Sequence, residues 1–319
     1  MTTTPSSITR KELLQGVFGV SLLPFLPGIN RAEAAAIGVT EVAPGVFVHQ
    51  GKFADVNAEN AGDISNQSFI VGADAVAVVD TGGSARIGKS LGEAIAVVTP
   101  LPIRYVVNTH MHPDHVFGNA AFKDGKAEFV AHHKMARGLS ARAESYLTRN
   151  KEWMGDANFE GTEIVLPTKD VTDSLVLDLG GRTLTLQTRP TAHTDNDMTI
   201  VDSATSTMFL GDLAFARRVP TLDGSILGWL KVIETLKSET AARVVTGHGP
   251  PSMAMGEALL PMERYLSAIV RDVRAAIKDG KTISDATETA ALSEKDSWLL
   301  FDDHHRRNVT AAFAELEWE

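Results

Sequence analysis

The chain has 319 residues, 44% of them hydrophobic and 22% charged, with a formal net charge of −10 and no cysteine. That length suits one large domain or two modest ones of ordinary globular composition, and an acidic chain without a Lys/Arg block excludes a nucleic-acid partner. The missing cysteines exclude disulfides, thiolate nucleophiles and cysteine-bound zinc, so any metal has to be held by histidine and carboxylate.

Residues 1–36 read as a cleaved export signal. Arg10 and Lys11 give a positive start, Leu13 to Leu26 form an apolar run of signal length, and Pro24 and Pro27 break it. Ala32-Glu33-Ala34 and Ala34-Ala35-Ala36 both suit cleavage after a small residue. The run is shorter than the roughly 20 residues of a membrane span, so no stable membrane anchor is expected after removal. "TRKELL" resembles a twin-arginine signal, with Lys11 where the second arginine would stand, and the export route stays open. The expected location is periplasmic or secreted, and the working domain is 37–319.

Residues 39–80 alternate short β-rich runs with turns, as in "GVFVHQG" and "SFIVGADAVAVVDTGG". The polar stretch 51–65 between them predicts a long, mobile hairpin loop. Ile87, Leu91, Ile95 and Val98 recur at helical spacing. "PIRYVVNTH" is a buried strand, and Pro113 favours the first turn of a helix after it. "AEFVAHH" is a further strand, followed by a helix from "KMARG". Strands return in "SLVLDLGG", "RTLTLQTRP" and "DMTIVDSATSTMFLGD". A helix at "ILGWLKVIETLKS", a strand at "ARVVTGHG" and a helical tail from about 261 complete the chain. Two rounds of strands followed by helices predict one layered α/β sandwich.

The strand "PIRYVVNTH" runs into "NTHMHPDHVFGN", which places His110, His112, Asp114 and His115 within six residues. Ligand-type side chains on one loop converge with little loop-closure entropy. Four are too many for one catalytic zinc, which usually takes three protein ligands and keeps a position open. The cluster therefore suggests two metals, with further ligands from elsewhere. His193, Asp212 and His248 each follow a strand and are the candidates. His132 and His133 read as packed or exposed histidines, His304 and His305 as residues of the helical tail, and His49 as a strand residue. No G-x-S-x-G elbow supports serine catalysis.

H-x-H-x-D-H followed by "AHT", "GD" and "GHG", in that order between about 40 and 255, resembles the metallo-β-lactamase superfamily. The resemblance implies a four-layered αββα sandwich with metals between the sheet edges. It implies that His110, His112 and His193 hold a first zinc, that Asp114, His115 and His248 hold a second, and that Asp212 bridges them. It also makes Asp80, at the end of "AVAVVDTGG", a carboxylate that orients a ligand histidine. Many β-lactamases proper carry cysteine at the position of Asp212 and lysine at that of Phe215; this chain departs from both. "GDLAFARRVPTLDGSILGWL" and "RRNVTAAFAELEWE" look like exported zinc metallohydrolases associated with quinoprotein dehydrogenase and sulfur-oxidation systems.

The expected function is a dinuclear zinc hydrolase in which a metal-bridging hydroxide attacks a small ester, thioester, lactone or amide. Iron or manganese could replace zinc in a carboxylate-rich site, although five imidazoles suit zinc. Arg217 and Arg218, close after Asp212, are candidates to grip an anionic substrate. Alternatives are a β-lactamase, a mononuclear iron enzyme of sulfur chemistry, and a zinc-binding accessory of a quinoprotein system. Complete second-metal ligation argues against the mononuclear reading.

Overall fold

A computed structural model of the protein describes Met1 and residues 37–319. The expected signal, 1–36, lies outside the described residues except for Met1. Two sheets build the fold. The first has seven strands in chain order: β1 (Thr40–Ala43), β2 (Val46–His49), β3 (Gln67–Val71), β4 (Val76–Val79), β5 (Ile103–Val107), β6 (Glu128–His132) and β7 (Lys169–Val171). Pairing is antiparallel from β1 to β4 and parallel from β4 to β7. The second sheet holds β8 (Ser174–Asp178), β9 (Thr183–Thr188), β10 (Met198–Asp202), β11 (Thr207–Phe215) and β12 (Arg243–His248), with only β11 and β12 parallel.

Helices α1 (Ala85–Val98), α2 (Pro113–Val116), α3 (Met135–Met154) and α4 (Asp156–Phe159) precede the second sheet in the chain. Helices α5 (Ile226–Ser238), α6 (Met255–Lys278), α7 (Ile283–Thr289) and α8 (Phe301–Leu316) follow from its later strands. The helical tail thus begins at Met255, with Pro261 inside α6.

Side-chain alternation separates the layers. On β4, Ala77 and Val79 face the second sheet and pack with Ile70, Val107, Leu186, Ile200 and Phe209. Val76 and Val78 point the other way, onto Leu91 and Ile95 of α1. On β11, Phe209 enters the inter-sheet core, while Met208 and Leu210 meet the helical layer of α5, α6 and α8. A strand clothed on both faces is apolar at successive positions, which is why "VAVV" and "MFL" lack a polar alternation. The four layers are α, β, β, α, as expected.

The α5 face repeats at helical spacing, with Ile226, Trp229, Val232, Ile233 and Leu236 buried. Its N-cap Ser225 Oγ accepts from Gly228 N at 2.9 Å. Among the described residues no helix is long and apolar enough to cross a membrane.

The loop 51–65 carries no strand and is closely tied down. Asn57 and Asn60 side chains bond its own backbone, Lys52 N donates to Asp63 O, and Asp63 meets His49 Nε2 at 2.8 Å. His49 thereby pins the base of the loop. The loop read from the sequence joins the antiparallel pair β2 and β3, as expected of a hairpin, and forms a hydrogen-bonded flap.

At the end of the sandwich where β8 turns into β9, Arg182 rivets the two sheets. Its Nε and Nη2 each donate to one oxygen of Asp202 at 2.7 Å, and its Nη1 donates to the carbonyls of Pro44 and Val71 in the first sheet. Burial alone would raise the Asp202 carboxyl, yet Arg182 and Thr205 hold it below its ordinary value. The folded-state pKa is depressed, so this stabilisation is fully present above the unfolded value of about 3.9 and is lost as pH falls below it. Arg182→Ala leaves a buried carboxylate without its cation and is expected to cost about 3–5 kcal/mol in urea unfolding at neutral pH. A loss of under about 0.5 kcal/mol, the range of ordinary surface substitutions, would reject the rivet.

Candidate metal centre

The candidate ligands stand where strands of both sheets end toward one another. Asp80, just past β4, is left-handed (φ +57°), a conformation aspartate tolerates better than most residues. Its Oδ1 accepts from Thr109 N at 2.8 Å, and its Oδ2 accepts from Thr109 Oγ1 at 2.7 Å and faces His115 Nδ1 at 2.8 Å. One carboxylate therefore fixes both ends of the 109–115 loop. Thr109 O accepts from Met198 N at 2.9 Å, which joins that loop to the second sheet. Inside the loop His115 N donates to His112 O, and Thr81 N donates to His115 O. The turn ends in α2, with Pro113 at its first position as the sequence predicts.

Asp212, expected after a strand, lies inside β11, within the irregular stretch from Gly211 to Phe215 where the β11–β12 register shifts. Such irregularities re-aim side chains next to active sites. Its neighbour across the pair is Gly247, where a Cβ would fall 1.7 Å from Asp212 Oδ1. Only glycine leaves room for that carboxylate. His248 ends β12, and its Nδ1 faces Ile64 O at 2.7 Å. His193 sits in a loop whose backbone is tied by Asp197, which accepts from Thr194 N and Thr194 Oγ1. Burial pushes the Asp197 carboxyl up to about 7, against those two bonds.

These segments bring all seven predicted ligands together. His110, His112, His193 and Asp212 form one group of mutually close donor atoms, and Asp114, His115 and His248 form a second. His193 Nε2 and His112 Nδ1 lie 2.8 Å apart. Asp212 Oδ2 lies 3.4 Å from His193 Nε2 and 3.7 Å from His110 Nε2, while its Oδ1 is 3.1 Å from His115 Nε2. Asp114 Oδ2 lies 3.2 Å from His248 Nε2 and 3.5 Å from His115 Nε2. Asp212 thus stands between the groups.

The donor chemistry fits two cations. His110 Nε2, His115 Nε2 and Asp212 Oδ1 are buried without a hydrogen-bond partner. Each such atom costs about 1–3 kcal/mol unless something satisfies it. Burial pushes His110 well below the ordinary imidazole range and takes His193 down to about 3, aided by neighbouring imidazoles. Both rings are therefore held neutral, the form in which an imidazole can hold a metal. Burial opposes charge on His115 and His248 too, but Asp212 and Asp114 outweigh it and raise both. Burial would likewise raise Asp114 and Asp212, yet the histidines hold them below the carboxylate range. These two enclosed carboxylates favour protons on the adjacent imidazoles, and bound cations would supply the same positive charge.

Groups beyond the sequence reading complete the surroundings. Asp223 Oδ2 faces His112 Nε2 at 3.1 Å and also accepts from Arg142 Nη1. His193 Nδ1 faces Thr221 O at 2.7 Å. Tyr146, Arg142, Arg149, His304 and Arg307 join Arg218 in lining a cavity of about 420 Å³ over His112, Asp114, Asp212 and His248. Arg217 lies outside that wall, its guanidinium 5.8 Å from the ring centroid of Phe53. Phe215 stacks on His248 at 4.9 Å and is core packing. His132 and His133 stack on each other, and His305 bonds Tyr265 and Ala290 O, all outside the centre.

Asp80→Ala is expected to weaken zinc binding 10–100-fold in competition with a chromogenic chelator, because His115 and Thr109 lose their anchor. Unchanged affinity would reject the orienting role.

Comparison with known proteins agrees with this geometry. The sequence profile described as the metallo-beta-lactamase superfamily matches residues 61–248, which include every candidate ligand. No protein of curated function matches the chain. Among solved structures, a metallo-beta-lactamase from Pontibacter korlensis superposes with TM-score 0.59 at 19% identity, over 72% of this chain and 99% of that one. A metallo beta lactamase from Erythrobacter litoralis, with beta mercaptoethanol in its active site, gives 0.56 at 19% identity over 73% and 97%. At such identities the superposition speaks for the fold, and the profile for the family: the chain belongs to the metallo-beta-lactamase superfamily, whose members are in general metal-dependent hydrolases.

Proposed function

We propose that the chain is an exported dinuclear zinc hydrolase of a small ester, thioester, lactone or amide. The observation that carries this reading is the seven-residue donor set, in two groups with Asp212 between them, at the floor of an open cavity. His110, His112, His193 and Asp212 would hold one ion; Asp114, His115, His248 and Asp212 the other. Zinc is favoured over iron or manganese by the five imidazoles. Bound there, divalent cations supply Lewis acidity for a carbonyl and a depressed pKa for water.

The chain's own groups do the rest. Asp114 lines the cavity and places its Oδ2 to take and return a proton while staying beside His115 and His248. Asp223 and the Thr221 carbonyl fix the rings of His112 and His193. Burial raises the Tyr146 phenol, and its oxygen accepts from Arg142 Nη1 at 3.2 Å. The phenol stays protonated and can donate to an oxygen that gains charge in the cavity. Val56 and Ile64 from the flap and Trp153 from α3 add apolar surface to the cavity lining.

The character of residues 1–36 supports export to the periplasm or beyond. The likeness of the 211–230 and 306–319 segments to quinoprotein-associated hydrolases supports a functional link to a quinoprotein dehydrogenase system. The protein lacking residues 1–36, loaded with zinc, is expected to hold two ions and to hydrolyse at least one of a chromogenic cephalosporin, thioesters and lactones. With a good substrate kcat/KM should exceed ~10⁴ M⁻¹s⁻¹ and be lost in His112→Ala. Turnover of the cephalosporin would narrow the function to β-lactams. One iron per chain, with no hydrolysis of any of the three, would overturn the reading.

A further inference from the structure

Buried polar groups of the helical layer are joined in one line that ends at the metal centre. His193 Nδ1 faces Thr221 O at 2.7 Å. The same peptide group offers its N–H on the opposite side, where Leu222 N donates to Asn308 Oδ1 of α8 at 2.9 Å. Asn308 Nδ2 donates to Pro220 O and, at 3.0 Å, to the hydroxyl oxygen of Tyr265 on α6. That hydroxyl meets His305 Nδ1 at 2.9 Å, and His305 Nε2 meets Ala290 O, just past α7, at 2.9 Å.

The backbone groups fix the direction of the line. An N–H can only donate and a carbonyl can only accept, so Leu222 sets the Asn308 amide and Ala290 sets His305 with its proton on Nε2. Burial holds the His305 ring below its ordinary value, and in the neutral ring Nδ1 accepts from the Tyr265 hydroxyl. Thr221 O in turn requires the His193 proton on Nδ1, which leaves Nε2, the nitrogen that faces Asp212, free for a metal. Every donor therefore points away from the centre, and aligned bonds of this kind strengthen one another. Asn308, Tyr265 and His305 are all buried. The same helix holds the far end of the loop: Glu315 accepts from Ser225 Oγ and from Ile226 N, each at 2.7 Å.

We propose that Asn308 is a positioning residue for the metal centre, which through the 221–222 peptide holds His193 in the tautomer and orientation that present Nε2 to the first ion. The inference rests on the two-ion reading of the donor set, and it adds that the C-terminal helix sets the affinity of one site and not of the other. His115 and His248 take their Nδ1 partners, Asp80 and Ile64 O, from other parts of the chain, so the second donor group is independent of this line.

The test reads stepwise zinc affinities by competition with a chromogenic chelator. It also reads the His193 ring in the metal-free protein, by NMR of isotope-labelled histidine assigned through His193→Ala. Asn308→Ala is expected to weaken one zinc affinity about 10–100-fold, leave the other unchanged and move His193 from the Nδ1–H form toward a mixture of tautomers. The loss should persist in a His248→Ala background, which disables the second donor group. Val309→Ala, an apolar truncation next to Asn308 on α8, should lower stability and leave both affinities unchanged. Should Asn308→Ala not fold, Tyr265→Phe, which removes only the hydroxyl of the line, is expected to weaken the same site several-fold. Equal loss at both sites, no loss at either, or the same selective loss in Val309→Ala would overturn the positioning role. A chain that binds no zinc, while Asn308→Ala still shifts the His193 tautomer, overturns the two-ion reading alone. Selective loss of one zinc in a chain that hydrolyses nothing overturns only the hydrolase reading.

Discussion

The three bonds made by Asp80 are the constraint on which the centre depends. A carboxylate at the end of β4 reaches across to the segment leaving β5, holds Thr109 by backbone and side chain, and meets His115 six residues later. Without it, the loop carrying four donor residues would have no reference point in the sheet. The left-handed backbone at Asp80 is unfavourable by about 1 kcal/mol. Three bonds to a buried charged group, each worth more than a neutral one, offset that easily. Backbone strain at this position is therefore part of how the sheet aims its ligands.

From that anchor the electrostatics follow. Asp212 and Asp114 are buried or nearly so, and neither can stay ionised in a low dielectric without positive neighbours. The histidines at the strand ends provide them, and the cations for which the donor set is shaped would do so more fully. Space is as tightly set as charge: Gly247 and the irregular stretch of β11 open the gap that Asp212 fills. The helical layers contribute differently. α3 and α8 present arginines and aromatic groups to the cavity, and so shape what enters it.

The legibility of the site followed the same division. His110, His112, Asp114 and His115 follow β5, His193 lies in the loop after β9 and His248 ends β12, where hydrophobic runs and glycine punctuation mark the strand ends; Asp212, expected after a strand, lies inside β11. The role of Asp80 came from the family resemblance, since "VVD" before glycines reads by itself as a turn aspartate. The layered fold was readable because doubly buried strands give unbroken apolar runs such as "AVAVV". The cavity wall was not. Asp223 looks like an Asp-Gly turn residue, and only the three-dimensional packing brings it to His112, 111 positions away. His304 meets Asp55 across 249 positions, and no periodicity within α8 encodes that meeting. Arg217 and Arg218 are adjacent in sequence, yet only the second lines the cavity. The loop 51–65 read only as polar because its Asn57 and Asn60 bonds are with its own backbone and its Asp55 and Asp63 meet residues distant in sequence, a pattern that composition does not separate from solvation.

The rivet at Arg182 gives the sandwich an asymmetry. One end is held by a guanidinium that is always charged, and its grip does not vary with metal supply. The opposite end gathers the donor residues of positions 110–115, 193, 212 and 248, whose carboxylates are balanced by imidazoles rather than by a guanidinium. A cation held there would act as a removable cross-link between the sheets, spanning more than a hundred residues of chain. The molecule would then be a clasp with one permanent hinge and one metal catch, and the rigidity of the half that carries the donor residues would follow metal availability.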